Sequence, residues 1–382
     1  MKKELEIYVH IPFCVRKCAY CDFLSAPAST DIMHQYLAAL LQEIREFPSA
    51  EEYEVSTLFF GGGTPSVFPS DWIREILDAL NKKFTLCRTE STIECNPGTA
   101  DFEKFQAYRR MGFNRLSLGL QSADNQELKC LGRIHTWEEF LVTYDAARSA
   151  GFENINIDLM SGLPGQTVAS WESTLKKVLA LEPEHISAYS LIVEEGTPFY
   201  ERYEEDVKRR EAGEACRDLP SEEDERSMYE LTEQYLARSG MYRYEISNYA
   251  KPGYECRHNC GYWRRIDYAG FGLGASSLLE NVRYHNPEHL AAYIRGDFSG
   301  REKEILSLQD QMSEYMFLGL RMTEGVSEQQ FFERFGVGIE RIYGEPLQKL
   351  TNEKLLFRKN GHVCLTDRGR DLANPVMAEF LL

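Results

Sequence analysis

Six short runs rich in β-branched and aromatic residues recur along the first half of the chain, and amphipathic, helix-like stretches separate them. The runs are ELEIYVHI, STLFFGG, STIECN, NRLSLGLQ, NINIDLM and HISAYSLI. Repeated strand-helix alternation fits βα units with right-handed crossovers, which build a parallel sheet or a barrel. The sequence therefore predicts an α/β fold whose chemistry gathers where the strands end.

The chain has 382 residues, which exceeds the length at which one hydrophobic core usually stops growing. A highly charged stretch runs from Glu201 to Arg226 and is typical of a lid, a linker or a solvated helix. From about Arg301 the pattern changes to short helices and a final LFRKNGHVCLT hairpin, which predicts a helical, winged-helix-like unit. We expect a core barrel, a charged linker or lid followed by a barrel-packing extension, and this C-terminal unit, in residues 1–200, 201–300 and 301–382.

Charge and hydropathy limit the classes of partner that this protein can bind. The formal net charge of -17 disfavours nucleic acid, because phosphate binding needs clustered Lys and Arg. No apolar run approaches the ~20 residues of a membrane-spanning helix, and the start, MKKELEIYVH, lacks the apolar core of a signal peptide. We predict a cytoplasmic protein with no nucleic-acid partner and at most peripheral membrane association. In such a chain, ten Cys residues indicate metal binding or catalysis rather than disulfides.

Cys14, Cys18 and Cys21 form a C-x3-C-x2-C motif on a loop that leaves the first predicted strand. Three thiolates at this spacing can face three corners of a cubane cluster, and the fourth iron then stays open. An open position is what a catalytic metal site needs, whereas a closed structural site normally uses four protein ligands. Scattered core cysteines, or a zinc site completed by His10, are the alternatives. The crowding of the thiols favours the cluster.

The segment FFGGGTPS places three consecutive glycines, Gly61 to Gly63, at a strand end before Thr64. Without side chains, their backbone N–H groups can approach a ligand closely. The order strand, glycines, Thr-Pro and helix suits a carboxylate or an amino-acid moiety. It is not a phosphate-binding loop, because neither G-x4-GK[ST] nor G-x-G-x2-G is present.

The segment YVHIPFCVRKCAYCDF resembles the signature of the radical S-adenosylmethionine (SAM) superfamily, including an aromatic residue, Tyr20, before the last Cys. In that superfamily SAM chelates the open iron of a 4Fe-4S cluster, and an electron from the reduced cluster cleaves SAM to methionine and a deoxyadenosyl radical. The resemblance implies an incomplete (β/α) barrel and an electron donor such as flavodoxin or ferredoxin. No side chain is assigned a catalytic role, because the protein positions SAM and excludes water and oxygen.

The similarity extends over about residues 6 to 290, through IECNPG, GFNRLSLGLQSADNQELKCLGRIHT, INIDLMSGLPGQT and HISAYSLIVEEGTP. These segments resemble the oxygen-independent coproporphyrinogen III oxidases and the related haem chaperones. The residues that this similarity assigns to SAM are Tyr8, Gly62, Glu94, Arg133 and Asp158. The residues that it assigns to the same or an adjoining ligand site are Gly63, Thr64, Gln121 and Ala188. On this assignment we expect Gly63→Val to impair SAM binding and to leave cluster assembly largely intact. Each polar side chain could equally be a helix cap or a strand-end salt bridge.

Two departures separate the chain from the oxidase branch. Oxidases carry an additional Cys two residues after the third cluster ligand, where this chain has Phe23, and they have a longer segment ahead of the first strand. In addition, HNCGYW resembles the HNxxYW motif of the chaperone branch, where it is associated with haem. The motif residues assigned to haem are His258, Asn259, Tyr262 and Trp263.

The chemistry of this motif is reasonable without the family. His258 would supply an imidazole for iron, Tyr262 and Trp263 would offer flat apolar surface, and Cys260 is a competing thiolate. Alternatively, the polar residues satisfy backbone groups and the aromatic residues belong to the core. Zinc bound by Cys256, His258 and Cys260 is a third interpretation.

We therefore expect a haem chaperone that carries a 4Fe-4S cluster and SAM, cleaves SAM reductively and transfers haem to acceptor proteins that the sequence does not identify. An oxygen-independent coproporphyrinogen III oxidase is the first alternative, and a radical SAM methyltransferase is the second. The C-terminal unit could bind a protein partner or a second copy of the chain in a homodimer.

Overall fold

The structure is a computed structural model that describes residues 2–298 and 301–382. Within these residues twelve strands form one mixed sheet: β1 (Lys3–Ile11), β2 (Tyr53–Gly62), β3 (Thr85–Cys95), β4 (Arg115–Gln121), β5 (Ile155–Ser161), β6 (His185–Ser190), β7 (Tyr242–Arg243), β8 (Asn248–Ala250), β9 (Tyr268–Phe271), β10 (Ser276–Leu279), β11 (Val282–His285) and β12 (Lys303–Ile305). The helices up to the last of these strands are α1 (Thr30–Glu46), α2 (Ser70–Lys83), α3 (Phe102–Arg110), α4 (Asn125–Cys130), α5 (Trp137–Ser149), α6 (Val168–Leu179), α7 (Pro198–Glu211), α8 (Glu222–Arg238), α9 (Arg257–Trp263) and α10 (Leu290–Ile294).

The strand order is β12-β11-β10-β9-β1-β2-β3-β4-β5-β6-β8-β7. Strands β9 and β1 to β6 pair in parallel, and the pairs beyond them at both edges are antiparallel. A helical crossover joins each successive pair from β1 to β6. Because the described sheet ends at β12 and β7 without closing, the prediction of an incomplete (β/α) barrel is confirmed.

The sequence of β1 explains how the barrel has two unlike faces. Leu5, Ile7 and Val9 alternate with polar residues and are fully buried in the main hydrophobic core, which α1 also enters. The intervening Glu6 and Tyr8 point to the opposite, inner face, because successive side chains of a strand alternate. A polar inner face needs hydrogen-bond partners wherever it is removed from water.

Helix α9 supplies part of that inner face with a partner. The buried carboxylate of Glu90, on β3, accepts hydrogen bonds from the backbone N–H groups of Arg257 (3.0 Å) and His258 (3.1 Å) at the start of α9. These N–H groups have no partner inside the helix, so a carboxylate there is stabilising. On the same helix, a Cβ added to Gly261 would overlap the carboxyl group of Glu6. Helix α9 therefore packs closely against the inner face.

The charged stretch after residue 200 forms most of α7 and the first turns of α8. Helix α8 packs against α6, where the indole of Trp171 donates to the hydroxyl of Thr232 (2.9 Å) and to the carbonyl of Met228 (3.1 Å). The described helices include none that is long and apolar enough to cross a membrane.

A second hydrophobic core belongs to the C-terminal residues. The elements around it are α11 (Leu308–Gly319), β13 (Val326–Ser327), α12 (Glu328–Phe335), α13 (Ile339–Asn352), β14 (Leu356–Lys359), β15 (His362–Leu365), α14 (Asp367–Asp371) and α15 (Ala373–Ala378). The order helix, strand, two helices and hairpin agrees with the predicted winged-helix-like unit. The predicted hairpin is confirmed: Asn360 and Gly361 take φ values of 52° and 75° between β14 and β15, as a tight two-residue turn requires.

The contact between Gly261 and Glu6 yields a stability prediction. Gly261→Ala should lower the free energy of unfolding by about 1 to 3 kcal/mol, because the added methyl group overlaps a buried carboxyl group. Gly338→Ala is the matched control, because nothing lies within 4 Å of its Cβ position and its φ is -70°. Urea unfolding of both variants measures the difference, and equal midpoints would contradict the packing of α9 against β1.

Candidate functional site

A polar cavity lies at the carboxyl ends of the parallel strands, and we call it the thiol cavity. It brings together most residues that the sequence assigns to the cluster and to SAM. Those that line it are Cys14, Cys18, Cys21, Gly62, Gly63, Thr64, Glu94, Gln121, Arg133 and Asp158. Loops and strand ends of a parallel sheet meet at one edge, which explains why residues so distant in sequence share one cavity.

The three cysteines lie half-buried on a loop that is fixed at both ends and in its middle. The N–H of Cys14 donates to the carbonyl of Ala26 (3.3 Å), which closes the loop on itself. In the middle of the loop, the N–H of Ala19 donates to Leu131 O (3.2 Å), and the N–H of Phe199 donates to Ala19 O (3.0 Å). The loop is thus held in place by the C-terminal end of α4 and the N-terminal end of α7.

Polar side chains link two of the thiols across the cavity. Thr64 Oγ1 donates to Cys14 Sγ (3.4 Å), and Arg133 Nη1 donates to Cys18 Sγ (3.5 Å). Asn96 connects them, because its Oδ1 accepts from Arg133 Nη2 (2.7 Å) and its Nδ2 donates to Thr64 Oγ1 (2.7 Å). The sequence assignment missed Asn96, although it follows Glu94 in the quoted IECNPG segment.

The described residues of the two alternative zinc sites do not come together around one position. Among the described side chains, no three His, Cys, Asp or Glu groups converge on a position for one metal ion. The ring of His10 faces other partners, with Nδ1 2.9 Å from Tyr8 Oη and Nε2 3.1 Å from Leu24 O. Cys14, Cys18 and Cys21 line one cavity, and their ligation of an iron-sulfur cluster stays a prediction.

The glycines of the cavity leave no room for side chains. Gly62 has a φ of +115°, a backbone conformation that favours glycine, and its N–H donates to Glu94 Oε2 (3.1 Å). A Cβ on Gly63 would lie 2.8 Å from Phe13 O and 3.0 Å from Cys14 Sγ. The expectation that Gly63→Val would leave cluster assembly intact stays a prediction, but this geometry counts against it, because the new side chain would press on Cys14, one of the predicted cluster ligands.

Two carboxyl groups lie on the inner wall of the cavity. Burial and the charge of Asp158 raise the pKa of Glu94 to about 8, against the lowering effects of the Gly62 N–H and of Arg115. Burial also raises the pKa of Asp158. Arg115, which the sequence assignment missed, is fully buried at the start of β4 and has an Nε without a hydrogen-bond partner among the described residues.

Asp158 lies in the middle of β5, opposite Gly119 and Ser187. Its carboxylate accepts from Asn156 Nδ2 (2.7 Å) and from Ser117 Oγ (3.4 Å). These two hydrogen bonds stabilise the charged form and fix the orientation of the carboxylate.

Two residues assigned to the same ligand do not line the thiol cavity. The N–H of Ala188 donates to Ser247 O (2.9 Å), and this residue lies beside the main core. Tyr8 lies behind the glycines, where its ring would contact a Cβ at Gly61 at 3.0 Å. Tyr8 instead lines a second cavity of about 680 Å³ beside β1, β9, β10 and α11, which we call the aromatic cavity.

The HNCGYW segment is divided between the inner face and the aromatic cavity. Tyr262 and Trp263 line that cavity, whereas His258 is 1% exposed and stacks on Phe59 with a centroid distance of 5.1 Å. His258 Nδ1 lies 2.7 Å from Thr57 Oγ1, and Nε2 lies 3.0 Å from Tyr262 Oη. Both ring nitrogens of His258, which the sequence analysis considered as an iron ligand, thus have an oxygen partner.

A chain of hydrogen bonds links β1, β2 and α9 at this point. Thr57 Oγ1 also donates to Glu6 Oε1 (3.2 Å), so that four side chains are linked in the order Glu6, Thr57, His258 and Tyr262. Burial and the charge of Arg115 lower the pKa of His258 to about 3, which keeps its ring neutral. Asn259 is half-buried on α9 and lines neither the thiol cavity nor the aromatic cavity.

Comparisons with known proteins agree with this geometry. The Radical SAM superfamily model matches residues 8–178, and the HemN C-terminal domain model matches residues 306–372. The heme chaperone HemW of Lactococcus lactis is 37% identical over 100% of this chain and 98% of the relative. The chain belongs to the HemW family. HemW of Bacillus subtilis is 36% identical, with 98% of each chain covered. The radical SAM enzyme coproporphyrinogen III oxidase (HemN) of Escherichia coli has the same fold, with a TM-score of 0.83, 24% identity, and coverage of 100% of this chain and 90% of that chain.

The raised pKa of Glu94 predicts how stability varies with pH in this HemW relative. Its folded pKa of about 8 lies above the usual 4.5, so the folded state binds more protons in this window and loses stability as pH rises through it. Glu94→Gln, which mimics the protonated form, should raise the Tm at pH 9 by about 2 to 4 °C and change it little at pH 5. The exposed Glu103→Gln is the control, and a pH-independent effect of Glu94→Gln would contradict the assignment.

Proposed function

We propose that this protein is a haem chaperone that binds haem and passes it to acceptor proteins, and that it carries a 4Fe-4S cluster and SAM. The observation that carries the proposal is the similarity, over essentially the whole chain, to proteins named heme chaperone HemW. Two cavities of different chemistry support it, one lined by the three motif cysteines together with Cys95, and one lined in part by aromatic side chains.

The residues of the thiol cavity suit the cluster and SAM. Cys14, Cys18 and Cys21 would ligate three irons, and the Arg133 guanidinium would offset the thiolate charge. Bound SAM would supply a carbon-centred radical after one-electron reduction of the cluster. Glu94 and Asp158 offer acceptors for an ammonium group and for hydroxyls. A flavodoxin or a ferredoxin would deliver the electron.

The oxidase alternative lacks one of the features expected of that branch. Phe23 is 62% exposed where the oxidase pattern has a cysteine, so the thiol loop offers no fourth thiol at this position. The structural match to the oxidase HemN, at 24% identity, supports a common fold alone. A radical methyltransferase would differ in transferring a methyl group from SAM to a substrate. We propose that the protein acts in the cytoplasm, with haem-accepting proteins as its partners and the C-terminal unit as a surface for them or for a second copy of the chain.

The cluster assignment predicts the iron content of cysteine variants. Anaerobically reconstituted protein should contain about four irons and four sulfides per chain. Cys18→Ala should lose most of this iron, because two thiolates cannot hold a cubane, whereas Cys87→Ala, at an exposed cysteine outside the thiol cavity, should retain it. Unchanged iron content after replacement of all three motif cysteines would remove the basis of the proposal.

The chaperone assignment predicts binding without porphyrinogen turnover. The reconstituted protein should give a Soret band on titration with haemin. With SAM and a competent reductant it should not convert coproporphyrinogen III to protoporphyrinogen IX, a reaction that chromatography of the porphyrin products detects. Robust decarboxylation of both propionates would favour the oxidase, and methylated products would favour the methyltransferase.

A further inference from the structure

We propose that the aromatic cavity is the haem site, and that Arg265 and Trp263 receive a propionate of the porphyrin there. This inference rests on the proposed haem-binding function and assigns it to a place. It also changes the role of His258 from an iron ligand to a residue that positions the cavity wall.

The shape and lining of the aromatic cavity suit a flat apolar ligand. Its volume of about 680 Å³ lies within the range of ligand-binding pockets. Rings of Tyr8, Tyr262, Trp263 and Tyr268 line it on the barrel side, and Phe317 lines it from α11. Aromatic faces offer large contact areas to a planar macrocycle.

Two residues that line this cavity each carry a buried donor without an acceptor in the described part of the chain. Trp263 Nε1 and Arg265 Nη2 are both removed from water, and neither has a hydrogen-bond partner among the described residues. Buried N–H groups are rarely left unpaired in folded proteins, because each costs about 1 to 3 kcal/mol. A ligand with carboxylate oxygens would satisfy both donors, whereas a purely apolar ligand would satisfy neither.

The contacts of Arg265 hold its guanidinium in place. Arg265 is 2% exposed, and its Nε donates to Glu314 Oε2 (2.8 Å) while its Nη1 donates to Asn281 Oδ1 (2.8 Å). Glu314 also accepts from Arg283, which lines the same cavity and pairs with Glu304 as well. These partners thus engage Nε and Nη1 of Arg265 but leave its Nη2 without an acceptor among the described residues, and a ligand carboxylate would supply one.

His258 acts on this cavity through Tyr262. Its Nε2 binds the Tyr262 hydroxyl, its ring stacks on Phe59, and it does not line the cavity itself. Loss of the imidazole would release one wall of the aromatic cavity. A weaker haem complex in His258→Ala is therefore expected from both roles, and that variant alone does not distinguish ligation from positioning.

The distinguishing experiment varies the carboxylate on the ligand and its receptor on the protein. Reconstituted wild type, Arg265→Gln and Arg264→Gln would be titrated with haemin and with haemin dimethyl ester, which lacks both carboxylates. We expect wild type to bind haemin about 10-fold more tightly than the ester, and Arg265→Gln to bind the two alike. Arg264→Gln is the matched control, because its guanidinium is exposed, pairs with Glu324 and does not line this cavity.

A variant that blocks the aromatic cavity tests whether haem binds there. It does so without changing a charge, and it remains informative if Arg265→Gln does not fold. Ser276 is exposed at the edge of the aromatic cavity, so Ser276→Trp should fill its mouth and weaken haemin binding at least ~10-fold while sparing the iron-sulfur absorbance. Equal affinities for haemin and ester in wild type, or normal haemin binding by Ser276→Trp, would overturn this site and leave the chaperone proposal standing. A wild type that binds no haemin would instead overturn the chaperone proposal itself.

Discussion

One buried carboxylate, that of Glu90, joins the C-terminal half of the chain to the inside of the barrel. It accepts the first N–H groups of α9 and the thiol of Cys256, three donors that would otherwise lie unpaired away from water. Because α9 is held there, Gly261 meets Glu6, and Tyr262 and Trp263 reach the aromatic cavity. The cavity wall and the barrel interior are thus parts of one arrangement that begins at Glu90.

The same requirement, that buried polar groups be paired, organises the inner face beyond α9. Asn156 donates to Ser117 (2.7 Å) and to Asp158 (2.7 Å), and its carbonyl oxygen accepts from His185 (2.6 Å) and from Ser187 (3.1 Å). Asp158 therefore reaches the thiol cavity in an orientation that its neighbours have already set. Such preorganisation lets a carboxylate bind a ligand without further ordering of its own side chain.

Structural features that depend on a short stretch of sequence could be predicted from the sequence. Features that depend on how the folded sheet brings distant residues together could not. The alternation in β1, the spacing of Cys14, Cys18 and Cys21, and the Asn-Gly turn are local, and the structure has the strands, the loop and the hairpin that they predicted. Spacing along the chain did not indicate that Asn96 links Thr64 to the arginine on Cys18.

Tyr8 and His258 illustrate the limit most clearly. Tyr8 and Glu94 both belong to the inner face and both approach Gly61, but they line different cavities. Sequence similarity assigned His258 to a ligand, whereas its partners Thr57 and Phe59 lie about two hundred residues away in the chain. A contact of that separation leaves no periodic signal in a single sequence.

The hydrogen-bond chain through His258 has a direction, and one proton sets it. With Glu6 ionised, Thr57 must donate to Glu6, the Nδ1–H of His258 must donate to Thr57, and Nε2 must accept from Tyr262. The Tyr262 hydroxyl then turns its lone pairs, and not its hydrogen, toward the rest of its surroundings. Burial raises the pKa of Glu6 well above the usual value, and a proton on Glu6 would remove the acceptor that fixes this direction. The protonation state of this carboxyl therefore governs whether the phenol at the end of the hydrogen-bond chain is polarised as an acceptor.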